Sequence, residues 1–289
     1  MNYIYQDFLK DIDDLRAVLK LADSLKSFSA QNNEPEIEIT DNKFLELAEI
    51  VHSKSRDANF GMVFIPGTIV LYLGGRFEYF IKTLFEELSM TIALKCKKFE
   101  YLPKEYKENL IAFTSEVIKS PAKYNHGENG VKTFITNLSN NVNGLEIADI
   151  NTKCLSITSE NMRPPILNDL FNRIGAKDIW VKLGHQANLQ AFFETADASK
   201  AQKDATKFLN DFMDIRNKVA HPSGSFQWPD TKAVMKHIDY FEVLGQQICN
   251  LASVYETSLV ASGLEKKAID DEKASSQPPL ASSGGDVVN

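Results

Sequence analysis

The chain has 289 residues, enough for one large domain or two small ones, and its 43% hydrophobic content suits an ordinary folded core. Its 39 acidic residues outnumber 32 basic ones for a net charge of −7, which argues against a broad, sequence-independent grip on duplex nucleic acid but leaves room for a small composite site holding one phosphate. No run of about 18 apolar residues is free of charges, and the N-terminus lacks a basic segment followed by an apolar one, so the expected location is cytoplasmic, with no membrane partner.

Residues 3–28 carry Ile4, Phe8, Ile12, Leu15, Leu19, Ala22 and Leu25 at steps of three and four, which predicts a helix. The polar stretch from Gln31 to Thr40 contains Pro35 and reads as a connector. It is followed by a shorter helix from about Asp41 to Ser53, capped by Asp41. Pro66 is suited to a first helical turn, and the apolar pattern after it predicts a central helix of about thirty residues. Gly74 and Gly75 inside it each cost about 1 kcal/mol relative to Ala, so they call for a kink or a close helix crossing.

Further helices are predicted at 103–119, 129–141, 163–174 with Gly175 as its cap, 199–220, and from about Pro229 to Val260. Strand signals are confined to Glu36–Thr40 and Ile179–Leu183. The fold is read as all-α. From Glu265 onward Lys, Asp, Glu, Ser, Pro and Gly dominate, and residues 265–289 are expected to be a disordered tail. The expected division is an N-terminal helical segment at 1–60 and a helical domain at 61–264 with an insertion around 100–200. Cys96, Cys154 and Cys249 are far apart, with no zinc or disulfide spacing, and read as buried free thiols.

Chemistry is proposed by one stretch, Asp214-Ile215-Arg216-Asn217-Lys218-Val219-Ala220-His221-Pro222. Phe208, Phe212, Ile215 and Val219 form a buried stripe, and Leu209, Met213, Arg216 and Ala220 continue the neighbouring row. Arg216 therefore stands beside the core, where an unpaired guanidinium is costly and a partner is expected. Pro222 places His221 at the helix C-terminus, where the negative end of the helix dipole favours imidazolium. An Arg and a His at one of three allowed spacings arise by chance about 0.3 times in a chain of this composition, so the context must carry the assignment. The other histidines, His52, His126, His185 and His237, are scattered and read as surface or structural. Walker-type, dinucleotide-binding, zinc-protease and nucleophile-elbow motifs are missing, and no cofactor or metal is called for.

Arg216-Asn217 followed by Ala220-His221 at a helix end, then a Pro/Gly break and another long helix, resembles the HEPN superfamily, whose signature is an Arg, four to six residues and a His, often with Asn directly after the Arg. Gly75-Arg76-Phe77-Glu78-Tyr79-Phe80-Ile81 is similar to an Arg-Phe-Glu-x-Phe segment of the RiboL-PSP-HEPN branch. The likeness covers roughly residues 66–98 and 199–262. It implies metal-independent cleavage of RNA at a composite site on a homodimer interface, with Arg216, His221 and Asn217 as site residues, and products ending in 2′,3′-cyclic phosphate and 5′-hydroxyl. It further implies a toxin or defence effector restrained by an antitoxin or regulatory protein.

Elementary geometry agrees with a shared site. Residues five apart on a helix are turned by about 140° and separated by about 7.5 Å of rise, so Arg216 and His221 of one chain converge poorly on a single atom. Two supporting residues carry double readings. Glu78 either orients Arg216 or is a solvated charge, and Arg76 either contacts phosphate or is a surface residue. For Arg216 and His221 themselves the competing reading is structural, a buried Arg paired with Asp214 or Glu78 and a capping His. The alternative function is then a non-catalytic helical module for dimerisation or protein interaction. A nucleic-acid-binding accessory without cleavage is a third option.

Overall fold

The computed structural model describes residues 1–31, 42–224 and 226–276, and within them every regular element is helical. The N-terminal stripe becomes α1 (Asn2–Ser29), burying Ile4, Phe8, Ile12, Leu15 and Leu19, and the shorter helix becomes α2 (Asn42–Asp57). Asp41 and the Glu36–Thr40 strand signal lie outside the described residues, as does most of the connector.

The central helix is α3 (Phe64–Cys96), with Pro66 in its first turn. Val70, Leu73, Phe77, Ile81, Leu84, Phe85, Leu88 and Ile92 on it are fully buried. A helix apolar on nearly all sides must be enclosed, and α3 is enclosed by α1, by α10 (Ala198–Ala220) and by α11 (Thr231–Ser276). Rings tie these four helices together. Phe8 stacks on Phe80 at 4.6 Å, and Phe77 and Phe212 each meet Phe241 at 4.6 Å. The first sixty residues therefore supply α1 to the same core as the rest of the chain.

Between α3 and α10 the chain forms α4 (Lys104–Lys119), α5 (Glu128–Val142), the short α6 (Thr152–Leu155), α7 (Pro164–Asn172), α8 (Ile179–Gly184) and α9 (Ala187–Phe192). Gly175 ends the α7 region as predicted. Its φ is +85°, its N–H reaches the Asn172 carbonyl, and the Ala176 N–H reaches back to Phe171, the paired bonds of a left-handed helix stop. The apolar run Ile179–Leu183 is helical rather than a strand. With no strand beside it among the described residues, an extended segment would leave buried backbone groups unpaired, whereas one helical turn satisfies them internally. The last helix also runs further than predicted, through Glu265 to Ser276. Its Ala, Lys and Glu residues propagate a helix already nucleated in the core. Residues 277–289 lie outside the described part.

Candidate functional site

The site is built on α10. Asp197 starts the helix by accepting hydrogen bonds from the backbone N–H groups of Ser199 and Lys200 at 2.8 and 3.3 Å. The buried face runs through Ala201, Ala205, Leu209, Phe212, Met213 and Val219, while Phe208 and Ile215, expected in the core, are half-buried. The seam is thus rotated slightly toward the row that contains Arg216. That rotation brings the Arg216 stem over Gly74 of α3, where an added Cβ would lie 3.4 Å from Arg216 Cγ and 3.5 Å from the Phe212 ring. Gly74 makes the close crossing, whereas Gly75 faces open space.

Arg216 is half-buried, and among the described residues no carboxylate lies within ion-pair distance of it. Both acids anticipated as its partners are engaged elsewhere. Asp214 pairs with Arg163 at 2.6 Å, and Glu78 pairs with Lys82 at 2.7 Å. What Arg216 does touch is the neighbouring Asn217, whose Oδ1 accepts from Arg216 Nη1 at 3.4 Å and from Asn161 Nδ2 at 2.7 Å. With its oxygen occupied from two sides, Asn217 keeps its amide N–H groups for another acceptor.

His221 is the C-cap of α10, at φ −132° and ψ 67°, with its backbone N–H on the Asn217 carbonyl at 3.1 Å. Its side chain is exposed and has no protein partner among the described residues. The segment that follows is held down by Trp228, whose ring covers Gly67 so closely that a Cβ there would stand 2.5 Å from it, and which meets Phe64 edge-on at 4.9 Å. A rigid ring over a bare backbone anchors the far side of the loop that begins at His221.

Beside Asn217 opens a cleft of about 490 Å³ lined by Glu78, Thr158, Ser159, Glu160, Asn161, Arg163 and Asn217. Its wall, residues 158–163, has no helical period of its own, and the segment just before it is fixed by Arg173. Arg173 is 7% exposed. It donates to the carbonyls of Leu155 and Ile157 at 2.6 and 2.7 Å, pairs with Asp169 at 2.6 Å, and stacks 4.0 Å over Phe113. Neither Arg173 nor Asn161 stood out in the sequence, because the only signal for either is a polar residue near a Pro-initiated helix.

Arg76 is not brought to Arg216. Its Nε donates to Asp11 of α1 at 2.6 Å and its guanidinium lies 5.0 Å from the Tyr79 ring, so it braces α1 against α3. Of the other histidines, His237 is buried between Phe208 and Phe212, its Nδ1 without a partner among the described residues, and burial pushes its pKa down to about 4. The three thiols are buried and free, and desolvation raises that of Cys154 to about 11. Among the described residues no single helix is long and apolar enough to cross a membrane.

The family model RiboL-PSP-HEPN matches residues 18–253, from the middle of α1 to well into α11, including the whole of the 100–200 region. No curated protein and no solved structure matches the chain.

Proposed function

This chain belongs to the RiboL-PSP-HEPN family, and from that premise we propose that it is a metal-independent endoribonuclease whose site is shared between two protomers, acting as a toxin or defence effector restrained by an antitoxin or regulatory protein. The observation that carries this proposal is the state of Arg216. A half-buried guanidinium with no carboxylate within reach among the described residues is poor structural economy and a good phosphate ligand.

In the proposed reaction the ribose 2′-oxygen attacks the adjacent phosphorus, the bond from phosphorus to the 5′-oxygen breaks, and a 2′,3′-cyclic phosphate and a 5′-hydroxyl result. His221 of one protomer takes the 2′-hydroxyl proton, and its twofold mate gives a proton to the departing 5′-oxygen. Arg216 stabilises the negative charge that grows on the phosphoryl oxygens. Asn217, with its amide N–H groups uncommitted, donates to a phosphoryl oxygen or orients the imidazole. Glu78 lines the adjacent cleft and does not hold Arg216. Only RNA supplies the attacking hydroxyl.

A second reading, the non-catalytic dimerisation or interaction module, draws on the exposed Phe64, Tyr72 and Tyr79 of α3. Incubating the full chain with a mixed single-stranded RNA pool in EDTA, beside Arg216→Ala and His221→Ala, separates the two. Cyclic phosphate ends from the wild type, lost in both variants, support the nuclease. Intact RNA at high protein concentration favours the module.

A further inference from the structure

We infer that the cleft beside Asn217 is a nucleobase subsite that reads guanine through Glu160, a specificity element that rests on the ribonuclease proposed above. The cleft has the volume of a small-ligand site and lies against the residue that touches Arg216. Its polar groups divide into spent and unspent. Asn161 donates to Asn217, Arg163 is held by Asp214, and Glu78 is neutralised by Lys82. Glu160 is exposed and makes no ion pair or hydrogen bond among the described residues.

A pocket whose unspent charge is a carboxylate repels phosphate, so the phosphate belongs at Arg216 and the neutral base belongs in the cleft. An ionised carboxylate only accepts hydrogen bonds, with two oxygens side by side. Guanine is the base whose Watson–Crick edge offers two adjacent N–H donors to such a pair. Adenine and cytosine offer one amino group beside an acceptor, and uracil offers one imino N–H between two carbonyls. Single-stranded RNA exposes this edge when the base is unstacked, which is how proteins read RNA sequence. The wall is tied to α10 by Asn161 on Asn217 and Arg163 on Asp214, and Arg173 holds the Leu155 and Ile157 carbonyls just before it, so the cleft is formed in advance.

Binding of non-cleavable ligands tests the subsite apart from the chemistry. The probes are labelled deoxythymidine pentamers carrying a central deoxyguanosine, deoxyadenosine, deoxycytidine or deoxythymidine, titrated into the full chain and followed by fluorescence anisotropy. The expected result is about tenfold tighter binding of the guanine pentamer, which is a typical reward for one bidentate base contact. This preference disappears in Glu160→Gln and survives in His221→Ala. Equal affinity for the four pentamers, no binding of any, or a guanine preference that persists in Glu160→Gln overturns the subsite. Guanine-selective binding by a protein that leaves RNA intact supports the subsite and counts against the ribonuclease alone.

Discussion

Arg216 and His237 are both held partly or wholly out of water without a charged partner among the described residues, and they carry opposite consequences. Arg216 lies over Gly74 with only an amide oxygen for company. If its role were structural, truncation would destabilise the fold. If its role is to meet phosphate, truncation relieves a desolvation cost. Arg216→Met is therefore expected to leave thermal stability unchanged or raised by up to about 1 kcal/mol, while RNA cleavage falls by roughly 10²- to 10³-fold. A stability loss above about 2 kcal/mol by calorimetry would assign Arg216 to the core instead. His237 is a neutral ring inside an aromatic cluster, with its pKa lowered from 6.5 to about 4 by burial. Because the folded state resists the proton that the unfolded state accepts, stability is full above about pH 6.5 and declines as pH falls toward 4, by roughly 3 kcal/mol at most. His237→Phe should flatten that part of the stability profile, as urea melts between pH 7 and 4 would show. An unchanged slope would mean the ring is not the titrating group.

At the scale of elements, the apolar periodicity made the long helices legible. α1, α3, α4, α10 and the start of α11 fall within a few residues of their expected bounds, since each buries a stripe that repeats at three and four. The glycine pair in α3 was legible only as a cost. The structure separates its members, with Gly74 under α10 and Gly75 facing open space. Gly75→Ala should consequently stabilise the fold by about 0.5–1 kcal/mol through helix propensity alone, a gain that a chemical denaturation curve at low protein concentration can resolve. The wall of the cleft was not legible. Thr158 to Arg163 has no hydrophobic period, and it is held by polar contacts of Asn161 and Arg163 to α10 and by Arg173 bonds to the carbonyls just before it, which leave no trace in a residue pattern. Arg173→Ala should cost about 2–4 kcal/mol by orphaning the Leu155 and Ile157 carbonyls and removing the stack on Phe113. It should also release the wall, visible as faster hydrogen exchange across residues 155–163. Protection equal to that of the wild type would show that the loop holds itself.

For the whole molecule, the family resemblance visible in Arg216, Asn217 and His221 extends over residues 18–253 once the full chain is compared, so the region around 100–200 is part of the matched unit. What local residue patterns could not reveal is which acids would be spent before reaching Arg216. Asp214 and Glu78 were its natural partners by position, and only the fold shows them turned to Arg163 and Lys82. A guanidinium left open, five residues before an exposed His at a helix end, is the feature on which the proposed chemistry depends. That chemistry makes the 2′-hydroxyl the nucleophile, so it is tested most directly by comparing one RNA oligonucleotide with its 2′-deoxy counterpart, both incubated with the full chain in EDTA and resolved by fragment mass. Cleavage of the RNA alone, leaving 2′,3′-cyclic phosphate ends, is the predicted result. Cutting of the deoxy strand, RNA ends that carry a 5′-phosphate, or two intact strands would contradict it.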